Sequence, residues 1–77
     1  MYLPHYSMMK QAQVVAAMGR LNIRVQAQGS GYVDFQLRGL DLTLWHCGQL
    51  QIRKGDRAAL ATSTRIAALA RVLPSYQ

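Results

Sequence analysis

Tyr32-Val33-Asp34-Phe35-Gln36-Leu37-Arg38, then Gly39, then Leu40-Asp41-Leu42-Thr43-Leu44-Trp45-His46-Cys47: the reading of this stretch decides the fold. In its first half Val33, Phe35 and Leu37 alternate with Tyr32, Asp34, Gln36 and Arg38, the period of a strand with one face buried. Gly39 breaks the pattern. Leu40, Leu42, Leu44 and His46 then carry one face of a second strand and leave Thr43, Trp45 and Cys47 on the other.

Working outward, Leu21 to Gln28 alternates apolar and polar residues throughout, and Gly29-Ser30-Gly31 supplies a permissive turn after it. On the other side Gly48 signals a turn, Leu50 and Ile52 add to the buried set, and Gln49, Gln51 and Arg53 face away. Lys54-Gly55-Asp56 is a further breaker. Residues 21–53 therefore read as a four-stranded antiparallel sheet.

The flanks read as helical. Residues 1–6, with Pro4 and His5, form an irregular lead, and Ser7 is the candidate N-cap. Met8, Ala12, Val15 and Met18 fall at helical spacing over residues 7–18, and Gly19 supplies the stop. Beyond Asp56, Ile66, Leu69 and Leu73, with Ala59, Thr62 and Ala70 alongside, make a second apolar stripe that Pro74 ends. That helix spans about 57–73, but its start is open: Asp56 competes with Thr62-Ser63-Thr64 as the cap, so residues 57–62 read equally as a loop or a separate turn. The expected fold is a single α+β domain of order α-β-β-β-β-α, with two helices on one face of a four-stranded meander.

Composition bounds the function. The 77 residues hold nine Lys plus Arg against three Asp and no Glu, for a net charge of +6 and a pI near 10.3. Such a field favours a negative partner, whether nucleic acid or an acidic protein surface, and it also keeps a small domain soluble. A chain this short buries a modest core, so a homodimer that covers further apolar surface is a live expectation. Cys47 alone excludes an internal disulfide and a sulfur-rich zinc site. The longest apolar run, Val14 to Met18, is too short to cross a bilayer, and no signal peptide is read at the amino terminus. The expectation is a cytoplasmic protein without a membrane partner and without a cofactor.

The sheet face turned away from the helices should display Asn22, Arg24, Gln26, Gln28, Tyr32, Asp34, Gln36, Arg38, Thr43, Trp45, Cys47, Gln49, Gln51 and Arg53. Five Gln, three Arg, a Trp and a Tyr are unusual on an exposed sheet. Gln and Arg hydrogen-bond base edges and phosphates, while Trp and Tyr stack on bases. The leading expectation is a non-enzymatic nucleic-acid-binding module with Trp45, Tyr32, Arg24, Arg38, Gln36, Gln51 and Arg53 as contacts, extended by Lys54 and Arg57. Arg53-Lys54-Gly55-Asp56-Arg57 reads either as a phosphate cradle or as a solvated turn. The same side chains also anchor protein interfaces. The alternatives are a protein-docking module, such as a phage or mobile-element inhibitor of a larger host complex, and a homodimer that covers this face. Catalysis is disfavoured, because paired carboxylates are scarce and strand parity sends His46 to the core side and Cys47 to the open side.

The order of helix, antiparallel strands and helix, with the basic charge, resembles the double-stranded-RNA-binding domain and the related HicA-type mRNA interferase toxins. The chain departs from both. Where the RNA-binding family carries a lysine cluster, at the start of the last helix, stands Ser63-Thr64-Arg65-Ile66-Ala67-Ala68. The toxin family's catalytic His follows Gly-Ser, whereas Gly29-Ser30 is followed by Gly31, so no nuclease role carries over. Four strands are also one more than either family needs.

Overall fold

The computed structural model describes residues 1–61 and 63–76. Its described elements are a 3-10 turn at Tyr6–Met8, helix α1 (Gln11–Arg20), strands β1 (Val25–Gly29), β2 (Tyr32–Leu37), β3 (Leu40–Trp45), β4 (Leu50–Lys54) and β5 (Arg57–Leu60), helix α2 (Ile66–Val72), and a 3-10 turn at Leu73–Tyr76. The class is α+β, and the sheet is an antiparallel meander in the order β1-β2-β3-β4-β5. It has five strands, one more than expected. The added strand, β5, is drawn from residues read as a loop or helix start. Ala58-Ala59-Leu60 carries no strand signal of its own; its structure comes from pairing with the free edge of β4, Ile52 opposite Ala59 and Lys54 opposite Arg57.

One core holds the layers together. Val33 and Phe35 from β2, Leu40, Leu42 and Leu44 from β3, and Leu50 and Ile52 from β4 form its sheet wall. Val14 and Met18 from α1 close it, together with Leu69 and Leu73. Both helices thus contribute to the same side of the sheet.

Helix α1 differs from its expected span of residues 7–18. The chain enters it through a 3-10 turn that buries Tyr6, whose hydroxyl donates to Gln11 Oε1, and this leaves Met8 84 % exposed. The helix starts at Gln11, where Gln13 Oε1 accepts the Lys10 backbone N–H at 3.0 Å. The buried pair is Val14 and Met18, one turn apart, rather than a stripe through Met8 and Ala12. Gly19 lies inside the last turn. The stop is Asn22, at φ 59°: its N–H donates to the Gly19 carbonyl, and the Ile23 N–H reaches back to Met18 at 2.9 Å. This is the Schellman arrangement, with Asn in the left-handed position and Met18 and Ile23 both buried.

The residues around Asn22 consequently belong to the helix end, and β1 begins at Val25 rather than Leu21. Within β1 the register shifts between Val25 and Ala27, so Gln26 is the extra residue of a bulge. The bulge reverses the parity that the uninterrupted alternation implied. Gln28 now opposes Val33 on the helix side, where its Oε1 accepts from Gln11 Nε2 at 2.9 Å, and Ala27 opposes Asp34 on the open side.

The β2–β3 connection is a two-residue turn, Arg38-Gly39, with φ 51° and 80°; positive values at both positions define the hairpin turn that matches strand twist. Arg38 is therefore a turn residue, not the last residue of a strand. His46-Cys47-Gly48 forms the next connection. Gly48 N–H donates to the Trp45 carbonyl at 2.8 Å and Trp45 N–H to the Gln49 carbonyl at 2.9 Å, the three-residue loop that needs a positive φ at its end, here 97° at Gly48.

The lead is irregular but packed. Leu3 is buried, its N–H donates to the Thr64 carbonyl at 2.9 Å, and Ile66 N–H donates to the Met1 carbonyl at 3.0 Å. Helix α2 starts at Ile66, later than the range expected, after a turn in which Ser63 Oγ accepts the Arg65 N–H at 3.1 Å. It buries Leu69 and passes into the Leu73–Tyr76 turn at Pro74. Thr62, an expected cap and stripe residue, lies outside the described residues.

Candidate binding face of the sheet

Strand register arranges the open face in three cross-strand rows. Gly29, Tyr32 and Trp45 make the first; Ala27, Asp34, Thr43, Gln51 and Leu60 make the second; Gln36, Asp41, Arg53 and Ala58 make the third. Gln36 N–H donates to the Arg24 carbonyl, so Arg24 extends the third row from just outside β1.

The first row is aromatic. The Tyr32 and Trp45 rings pack against each other in a tilted contact, with centroids 5.5 Å apart and planes at 49°. Tyr32 also lies across Gly29: a Cβ on that glycine would stand 2.4 Å from the tyrosine ring, so only a glycine lets the ring settle onto the backbone of β1. Trp45 remains 39 % exposed.

The second row is tied together at Asp34. Thr43 Oγ1 donates to Asp34 Oδ1 at 2.7 Å, and Arg53 Nη2 stands 3.5 Å from the same oxygen. Thr43 is only 3 % exposed, and Arg53 Nε is buried with no hydrogen-bond partner among the described residues. Arg53 is thus held down on the face by Asp34, with Asp41 directly across the strand pair. Two of the chain's three acidic residues, Asp34 and Asp41, stand on this face, where only Asp34 was expected.

The expected contact residues separate into groups. Tyr32, Trp45, Gln36, Gln51 and Arg53 share the open face. Lys54 and Arg57 oppose one another on the helix side, beside a small cavity of about 60 Å³ that Ile52, Ala59 and Tyr76 help to line. Arg38 is in a turn, and Asn22 and Gln28 leave the face altogether. Along the strand axis, however, the cations converge. Arg24, the Arg38 turn, Arg53, Lys54 and Arg57 all fall at the end of the sheet built by the β2–β3 and β4–β5 turns. The opposite end carries the Tyr32–Trp45 pair and the loop 46–48, and residues 42–52 contain no charged side chain with His neutral.

His46 and Cys47 are both exposed in that loop, so His46 is not a core residue and Cys47 is not on the strand face. The His46 ring meets Tyr6 edge-on at 6.3 Å. Among the described residues no three His, Cys, Asp or Glu side chains gather in a metal-binding group, and no described helix is long and apolar enough to cross a membrane. Comparison of the chain with protein-family models, curated proteins and solved structures finds no match.

Two contributors escaped sequence reading. Asp41 takes its place on the face only through β3–β4 pairing, and Leu60 only through the existence of β5. The signal for Asp41 was present, since its parity follows from Leu40 and Leu42.

Proposed function

We propose that the chain is a non-enzymatic binding module that holds nucleic acid along its open sheet face, with phosphates at the basic end and bases against Tyr32 and Trp45. The observation that supports this is the convergence of Arg24, Arg38, Arg53, Lys54 and Arg57, dispersed in sequence, at one end of the sheet. From the aromatic row to the Arg53 row is four residues along a strand, about 13 Å, a span of about two nucleotides of an extended, unstacked single strand. Single-stranded nucleic acid suits the site better than duplex, because bases must be unstacked to reach an aromatic pair on a flat sheet.

The test is titration of a dye-labelled single-stranded oligonucleotide at two salt concentrations, followed by the fluorescence anisotropy of the dye. If about three phosphates are contacted, log K should fall with log salt at a slope of about −2. Lys54→Ala with Arg57→Ala should weaken binding and flatten that slope, whereas Trp45→Ala should weaken it at every salt concentration. Absence of binding at low salt would sink the reading.

A protein partner is the second reading, favoured by one observation: Asp34 in the second row pairs with Arg53, and Asp41 stands opposite Arg53 in the third. A partner of that kind would bind through the uncharged aromatic end, with Trp45 as an anchor and little salt dependence.

A further inference from the structure

The two edges of the sheet are guarded differently. The β1 edge carries the Gln26 bulge, and Gln28 is tied to α1 through Gln11. Bulges of this kind bend and twist an edge away from pairing. The β5 edge has no such guard. Its register with β4 runs from Gln51–Leu60 to Lys54–Arg57 without a shift, and Ala58-Ala59-Leu60-Ala61 contains neither a charge nor a proline. Leu60 is 60 % exposed there.

The direction of the free backbone groups follows from the ladder. Ala61 N–H donates to the Leu50 carbonyl at 2.8 Å, so alternation turns the groups of Ala59 and Arg57 toward β4 and those of Ala58 and Leu60 outward. No described residue pairs with those outward groups.

We infer that β5 pairs with β5 of a second copy of this chain, antiparallel about a two-fold axis through Ala59, to join two sheets into one. In that register Ala58 faces Leu60 of the other copy, and Leu60 faces Ala58. The outward N–H and C=O groups of both residues are exchanged in narrow pairs, and none is left over. The pairing is self-complementary in shape too: each Leu60 lies over the small Ala58 opposite, and the two Leu60 side chains meet diagonally across the axis on the open face.

Charge permits the pairing. Arg57 stands opposite the uncharged Ala61, and the antiparallel arrangement places the two Arg57 side chains about four residues apart along the strands. That is about 14 Å, beyond the screening length of about 8 Å at physiological salt. The open faces stay uncovered and become continuous, with the two basic ends at opposite corners. This inference concerns the edge of the sheet and stands whatever the open face binds.

The decisive experiment combines mass and amide exchange on the full chain. Sedimentation or light scattering should show a mass that rises with concentration from 8.6 kDa toward twice that value. Over the same range the amides of Ala58 and Leu60 should slow in hydrogen exchange at least tenfold. Ala58→Pro removes an outward donor while sparing the ladder to β4, and Leu60→Lys charges the edge; both should remain at monomer mass with an unchanged circular dichroism spectrum. A wild-type chain that stays monomeric at about 1 mM overturns the inference. So does a dimer in which the Ala58 and Leu60 amides exchange as fast as in the monomer, which would place the contact elsewhere, for example over Trp45.

Discussion

Asn22 holds a left-handed backbone at φ 59° that any branched residue resists. Asn22→Gly should leave stability nearly unchanged, while Asn22→Val should cost about 1–2 kcal/mol in urea denaturation. Asp34 is another residue on which several depend. Asp34→Ala removes the acceptor of the buried Thr43 hydroxyl and the carboxylate beside Arg53, so it should lower stability by about 1–3 kcal/mol by the same measurement. Thr43→Val in the Asp34→Ala background should recover part of that loss, since the orphaned hydroxyl then disappears. At this scale the sequence was readable where a residue's role was local. Gly39, Gly48 and Gly55 all mark turns, each at positive φ. It misled where one residue displaced another, as when Asn22 took the position expected of Gly19.

Among the elements, the central hairpin was the most legible. Its period of two set β2 to within a residue and the start of β3, although it carried β3 two residues too far, through His46 and Cys47. Both strands are flanked by strands and covered on one face, the circumstance in which alternation is enforced. β1 was legible as a strand but not in register, because a bulge has no signature in an alternating Leu21–Gln28 run. β5 could not be read from its own residues: alanine favours helix, and its strand conformation is imposed by β4. Helix α2, seven residues long, would not hold alone in water and depends on its buried side chains. Leu69→Ala should therefore cost about 2–5 kcal/mol, read as an earlier thermal transition, whereas Val72→Ala, at an exposed site, should cost well under 1 kcal/mol.

For the molecule as a whole, the candidate site was half legible. Residue types nominated Trp45 and Tyr32, and parity brought them to one face with Gln36, Gln51 and Arg53. What parity could not convey is the long axis: the face divides into an uncharged aromatic end and a basic end, with Asp34 between them and Asp41 opposite Arg53. Net charge says nothing of how the cations are spread over the surface. Turn geometry, which fixes where Arg38, Lys54 and Arg57 stand, is what makes it uneven.

The seam between the lead and the start of α2 bears on the order of events in folding. Every strand pair in the meander joins neighbours in sequence, so the sheet can form by short, fast closures. Leu3, by contrast, finds its backbone partner only after nearly the whole chain has been drawn together, because its N–H donates to the Thr64 carbonyl and the adjoining Met1 carbonyl accepts from Ile66. Its burial should follow the rate-limiting barrier rather than precede it. In stopped-flow experiments Leu3→Ala should chiefly accelerate unfolding, and Phe35→Ala should chiefly slow refolding. Equal effects of Leu3→Ala on both rates would refute this order. If it holds, the seam acts as a late latch that sets how long the native state lasts more than how quickly it forms.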